Sequence, residues 1–378
     1  MKRVLILGGS FGGLSAAHTL RSLLPAEDEI ILVDARPTFV MGFRKTSALL
    51  GESIEPVTRR LADIQPVGIN VKQAAISAID PAARAAVVNG QRLEADALVV
   101  ALGTQLAPEK IPGFPQHALD VYNHHDLPRA ARALRDFRGG RLAVGIFGAP
   151  FPCPPAPFEI ALLVQELLQK RSVKAAIEVF TPQPMSLPIL GRESCDAFEG
   201  RLAERGITFL PDRKAMAVEA GAVVFPGERR PFDLLLGIPP HRCPDVVVHS
   251  GLSGLGDWVR ADKRTLETQF PGVYAVGDVT EMTLANGKPL PKSGVFAEAM
   301  GRAAAERITA TFAGRAPEAT FAGEGGCYLE VGGGEAMMVR GKFLTEPAPE
   351  VVLTEPARVL LEQKHAFEAV LLKRWFGR

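Results

Sequence analysis

The chain has 378 residues, of which 47% are hydrophobic and 22% charged, and its formal net charge at pH 7 is +1. Such a length accommodates two or three domains of ordinary soluble composition. The near-neutral balance supplies no field for a nucleic-acid partner, no apolar run reaches the roughly 18 residues of a membrane-spanning helix, and four cysteines in so long a chain make no disulfide scaffold.

The N-terminal stretch MKRVLILGGSFGGLSAA has the basic start and apolar run of a signal peptide. The same residues hold a nucleotide fingerprint that the fold needs, so they read as mature protein and the chain as cytoplasmic. RVLILGG (3–9) is all apolar, the pattern of a central parallel strand. GGSFGGLSAAHTLRSLL (8–24) follows as turn and helix, with Gly8, Ser10 and Gly13 at the three positions of G-x-G-x-x-G and Gly12 as an extra small residue. In this motif the first glycine makes the tight turn and the last lets the helix lie close to the strand. The pyrophosphate sits on free N–H groups at the helix start. Ser10 departs from the middle glycine, but its small side chain still lets a phosphate approach. A second strand, EIILVDARP (29–37), carries Asp34, 21 residues beyond Gly13, where an acid reaches a ribose hydroxyl.

EADALVVALGTQLAP (94–108) is a buried strand ending in Gly103-Thr104. His124-His125-Asp126 opens a helix, and without a further ligand at suitable spacing no metal is expected. From 109 to 239 the alternation repeats: strand RLAVGIF (141–147), helix 158–171, strand AAIEVFTP (175–182), a helix containing RLAERGI (201–207), then AVVFPG (222–227) and FDLLLGIPP (232–240). The place of a phosphate loop, GAPFPCPPAP, holds Pro150, Pro152, Pro154, Pro155 and Pro157. Proline has no N–H and a fixed φ, so this loop cannot form a nest of donors. The following strand ends in Phe180-Thr181 instead of an acid, with Glu178 inside it. A nicotinamide site here reads as abandoned. Cys153 stands on that stiff loop before a helix N-terminus, a position expected to lower a thiol's pKa. Cys195 and Cys243 read as structural. FPGVYAVGDVTEM (270–282) is a strand ending in Gly277-Asp278. Residues 355–378 read as a terminal helix with Pro356 in its first turn. In it Lys373, Arg374 and Arg378 flank Trp375-Phe376, which suits a membrane interface and packing on protein equally.

The ALGT and AVGD segments resemble those of flavin disulfide-reductase-like enzymes. APFPCPPAPFEIA resembles the Cys-Pro-x-Ala-Pro-x-Glu segment of sulfide:quinone oxidoreductases and the related flavocytochrome c sulfide dehydrogenases. GKPLPKSGVFAEAMGRAAAERI (287–308) resembles their Pro-Lys-x-Gly-x-x-Ala segment, and GGCYLEVGGGEAMMVRGKF (325–343) their C-terminal Cys-Tyr segment. The resemblance runs from residue 3 to about 376, and the two cysteine segments are its specific part. It implies an α/β fold of two Rossmann-like domains of the flavin disulfide-reductase type plus a small C-terminal segment. Residues 1–108 and 240–320 would form a discontinuous FAD-binding domain, 109–239 a second domain with a degenerate NAD site, and 321–378 a segment with a redox cysteine and the terminal helix.

The resemblance further implies FAD held by Gly8, Ser10, Phe11, Gly12, Gly13, Asp34, Ala35, Arg36, Ile76, Ala101, Gly103, Thr104, Gly277, Asp278 and Lys292. Cys153 and Cys327 would be the redox pair, Glu159 an acid/base beside it, and Lys292 a cation at the isoalloxazine. The implied reaction is oxidation of sulfide or a related sulfur species, with a quinone as acceptor. The implied setting is cytoplasmic or peripheral on the inner membrane face, with contact through the terminal helix and possible homo-oligomers. Two departures stand out: no counterpart exists for the third redox cysteine of many relatives, and their two-helix membrane tail is reduced to one helix. A type II NADH dehydrogenase and a flavoprotein partner subunit without turnover are the competing readings. NADH bleaching the flavin would mark the first, and a flavin indifferent to sulfide the second.

Overall fold

Runs of apolar residues long enough to be covered on both faces set the frame. Val4, Leu5, Ile6 and Leu7 are each 0% exposed, which a strand achieves only in the middle of a sheet sandwiched between layers. The computed structural model describes residues 1–253 and 257–377. Strand Arg3–Leu7 lies between Glu29–Asp34 and Ala97–Val100, with Ile69–Gln73 at one edge and Val273–Ala275 at the other. All four pairings are parallel. The last strand thus returns from far along the chain to complete the N-terminal sheet.

A second parallel sheet has the order Leu119–Asp120, Leu234–Ile238, Gly140–Ile146, Ala175–Phe180, Ile207–Leu210. The fold is therefore α/β with two Rossmann-like sheets, as its alternating sequence requires. The segment AVVF lies outside the second sheet: Ala217–Glu219, Ala222–Phe225 and Glu228–Pro231 form an antiparallel meander. Glu178, the acid inside strand Ala175–Phe180, is held by Arg230 of that meander at 2.7 and 2.8 Å.

The helix Phe11–Leu23 packs along Gly294–Phe312. Close approach is set by glycine: a Cβ at Gly301 would stand 2.2 Å from Gly12 O, and one at Gly13 only 1.8 Å from Gly8 O. The C-terminal segment holds three antiparallel strands, Glu324–Gly332, Glu335–Lys342 and Glu350–Leu353, before helix Arg358–Phe376. The helix begins two residues after Pro356, so that proline precedes it and does not sit in its first turn. Trp375 is 0% exposed, edge-on to Phe11 and Phe39 at 5.8 and 5.6 Å, and Phe376 stacks on Phe39. Both aromatic rings thus pack on the N-terminal domain and are withheld from any membrane surface.

Candidate active site

A cavity of about 550 Å³ gathers residues from every part of the chain. Its lining includes Ser10, Phe11 and Gly12, with Arg36, Ala101, Gly103 and Thr104. Ser10 caps the first helix without a side-chain hydrogen bond to it, so the helix's leading N–H groups face the cavity uncapped. Gly8 has φ +108° and a Cβ there would lie 2.3 Å from Ala101 O, so only glycine closes this turn. Gly277 and Asp278 line the cavity from the strand end at Ala275. Asp278 Oδ1 is buried with no hydrogen-bond partner, and burial raises its carboxyl above the ordinary value.

Four expected cofactor contacts are placed elsewhere. The Asp34 carboxylate lies under the loop, accepting from Gly9 N at 2.7 Å and from the Arg36 backbone and guanidinium at 2.7–3.0 Å. Burial raises its carboxyl, but the Arg36 guanidinium and these N–H groups outweigh burial and hold it below the ordinary carboxylate value. Ala35 is exposed beside it. Ile76 starts an antiparallel strand, half-buried against the apolar core and outside the cavity lining. Lys292 points away: its Nζ donates to Asp278 O and Thr280 O at 2.5 and 3.0 Å and sits 3.6 Å from the centre of the Trp258 ring. The ammonium expected at an isoalloxazine is satisfied by backbone carbonyls behind the cavity wall. There burial lowers its pKa to about 8.

The cavity is also lined by Cys153 and Cys327. Cys153 comes from the proline loop with φ +55°, and its N–H donates to Lys292 O at 2.8 Å. Cys327 comes from strand Glu324–Gly332, opposite Val339. The two are free cysteines in one cavity lining, near enough that each shifts the other's proton affinity. Cys327 is held below the ordinary thiol value by the Cys153 hydrogen bond, and by Ser293, against the opposing effect of burial. Cys153 is pushed well above it by Cys327 beside it, by desolvation in the cavity wall, and by the Glu159 carboxylate. The expectation that the helix N-terminus would lower Cys153 therefore reverses. Cys195, whose Sγ donates to Leu187 O at 3.1 Å, and Cys243 are both buried outside the cavity.

Glu159 lines the cavity, but its Oε2 accepts from Lys364 Nζ at 3.2 Å and from Glu330 N at 2.9 Å. Lys364 also donates to Glu330 Oε1 at 2.7 Å. Tyr122, likewise in the lining, donates its hydroxyl to Pro152 O at 2.9 Å and Cys153 O at 3.3 Å, pinning the proline loop. Lys45 Nζ donates to Tyr122 O at 2.6 Å, and burial lowers its pKa to about 8. Sequence reasoning missed Lys45, Tyr122, Ser293, Glu330 and Lys364. Two left a signal. Ser293 precedes an apolar helix at the N-cap position, and Lys364 interrupts the buried stripe of Leu360, Leu371 and Trp375 at helical spacing.

The model of pyridine nucleotide-disulphide oxidoreductases matches residues 2–301. The chain belongs to the pyridine nucleotide-disulphide oxidoreductase family. It is 24% identical over 297 residues to the mitochondrial sulfide:quinone oxidoreductase of Mus musculus, covering 74% of this chain and 66% of that protein. It is 26% identical over 350 residues to the alternative NAD(P)H-ubiquinone oxidoreductase C1 of Arabidopsis thaliana, covering 76% of this chain and 63% of that one. The chain therefore spans about two thirds of the length of these curated relatives. The solved sulfide:quinone oxidoreductase of Aquifex aeolicus matches its fold with a TM-score of 0.88, at 23% identity, over 99% of this chain and 91% of that one.

As a member of this family the chain is an FAD flavoprotein. The cavity fits that cofactor on two counts. The uncapped N–H groups of the first helix suit a pyrophosphate. The unpartnered Asp278 Oδ1 suits a hydroxyl donor of a polyol chain.

Proposed function

We propose that this protein oxidises hydrosulfide, or a related sulfur nucleophile, through a Cys153–Cys327 disulfide and delivers the electron pair to a quinone. The observation that carries the reading is that two free cysteines from distant segments line one cavity, which they share with the dinucleotide loop. Core packing alone gives no reason for such a meeting.

Hydrosulfide attacks one sulfur of the disulfide in line, the S–S bond breaks, and one cysteine becomes a persulfide while the other leaves as a thiolate. When bound, FAD supplies the two-electron acceptor. Among the chain's own groups, Tyr122 and the Lys292 carbonyl hold the proline loop and Cys153 in place. Ser293 holds Cys327 at 3.1 Å. Glu159 is matched by Lys364, so its role is to keep that wall of the cavity charged and closed, not to act as a free base. The loop's own backbone argues against a nicotinamide donor. Its prolines have no N–H, and the N–H groups of Cys153 and Ala156 bond to Lys292 O and Cys153 O.

The test is anaerobic addition of sulfide to the purified yellow protein, with NADH as a parallel arm. Sulfide is expected to bleach the flavin stoichiometrically and NADH to leave it oxidised. Cys153→Ser is expected to keep FAD and lose the sulfide response. Bleaching by NADH but not sulfide would overturn the reading.

A further inference from the structure

Residues 292 and 293 touch both cysteines. The Lys292 carbonyl accepts from Cys153 N at 2.8 Å, and Ser293 Oγ lies 3.1 Å from Cys327 Sγ. Ser293 is 3% exposed and is the N-cap of the 19-residue helix Gly294–Phe312. Its Oγ accepts from Val295 N at 3.3 Å. One lone pair of the hydroxyl is thus engaged by the positive end of a helix; a thiolate at Cys327 can only accept, so with Cys327 ionised the 3.1 Å contact runs from Ser293 Oγ–H to Sγ. The helix cannot drift from this position, because Gly301 abuts Gly12 O and Gly294 abuts the Phe11 ring.

We propose that Ser293 is the positioning residue that polarises the cysteine pair: by donating a hydrogen bond to Cys327 Sγ from the helix N-cap, it favours the thiolate at Cys327 and leaves Cys153 the thiol. The charges around the pair accommodate this. Asp278 and Glu159 both disfavour a thiolate at Cys327, and the hydrogen bonds from Cys153 and Ser293 overcome them. Cys153 faces Glu159, partly offset by Lys364, and receives no such donor.

The inference deepens the proposed sulfide reaction and rests on it for its second consequence. When hydrosulfide attacks the disulfide, the sulfur whose thiolate is better stabilised departs more readily. HS⁻ adds to Cys153 Sγ, the S–S bond breaks, and its electron pair leaves on Cys327 Sγ. The products are a Cys153 persulfide and a Cys327 thiolate. Access favours the same direction, since Cys153 is half-buried and Cys327 buried.

The experiment uses the holoprotein as wild type, Ser293→Ala and Ser293→Thr. Each is reduced and pulsed with iodoacetamide across pH, and modification of each cysteine peptide is followed by mass spectrometry. In the wild type Cys327 should react at lower pH than Cys153. Ser293→Ala should slow Cys327 roughly tenfold at neutral pH, the scale of one hydrogen bond to a charged group, and Ser293→Thr should restore it. Retained flavin shows that the Ala variant is folded. Cys153 reacting first in the wild type, or a Cys327 profile unmoved by Ser293→Ala, overturns the proposal. A second arm adds sulfide to the oxidised protein and traps the persulfide. The added sulfur belongs on the Cys153 peptide, and finding it on Cys327 refutes the polarity. If no persulfide and no bleaching occur, the sulfide reading falls, while the alkylation order still judges Ser293 independently.

Discussion

Replacing Lys364 by methionine isolates the charged wall behind the cysteines. Lys364, Glu159 and Glu330 have side chains 5%, 6% and 17% exposed, with the ammonium 3.2 and 2.7 Å from the two carboxylates. Methionine preserves the stem and volume but leaves two buried carboxylates facing each other. Removing one partner of a buried ion pair costs about 3–5 kcal/mol, since the remaining charge keeps its desolvation penalty. With a urea slope of about 3 kcal/mol/M, the unfolding midpoint should fall by roughly 1–1.7 M at unchanged slope. The Lys364 pKa is raised in the folded state: burial lowers it, but Glu159 and Glu330 outweigh burial. A group with a raised folded pKa contributes fully below its unfolded value, about 10.4 for lysine, and fades only as pH rises through the folded value. The deficit of the variant should therefore stay constant from neutrality to about pH 10. The triple variant Glu159→Gln/Glu330→Gln/Lys364→Met should recover at least half of the loss. As a control, Asp196→Ala, which breaks the exposed Arg192–Asp196 pair, should cost no more than about 1 kcal/mol. A Lys364→Met loss of less than about 1 kcal/mol would refute a buried, energetically coupled triad.

Asp278→Ala removes the unpartnered buried acceptor and should weaken FAD binding by about 1.5–3 kcal/mol, roughly 10- to 100-fold; flavin retained as tightly on ultrafiltration would show that Asp278 does not hold the cofactor. Trp375→Ala empties the aromatic contact among Phe11, Phe39 and the terminal helix and should cost about 3–5 kcal/mol in denaturant unfolding. A near-neutral result there would mean that the helix docks without its tryptophan.

Much of the frame is readable along the chain because parallel strands buried on both faces are continuous apolar runs. RVLIL, EIILVD, ALVV and LLLGI announce themselves in this way, and Gly8 and Gly13 mark a turn whose neighbours leave no room for a Cβ. The proline loop is equally legible, since a missing N–H is a property of the residue and not of its surroundings. The strands bearing Cys327 are not. Their glycines break the apolar pattern, and a Cβ at Gly326 would meet Val339 O at 2.1 Å, a constraint visible only once the partner strand is known.

Residue chemistry alone determined that the chain carries a dinucleotide loop, that its second loop cannot cradle phosphate, and that Cys153 stands on that stiff loop; Cys327 stood out only through the family resemblance of its segment. Only tertiary structure decided where side-chain charges go. Lys292 and Glu159 were readable as residues but not as orientations: one ammonium turns to Asp278 O and Thr280 O, and the other residue's carboxylate is claimed by Lys364, 205 positions away. The order of the two thiols has the same origin. A thiol's proton affinity depends on donors and charges within a few ångströms, and for Cys327 those come from Cys153, Ser293, Asp278 and Glu159, which no sequence spacing brings to one place.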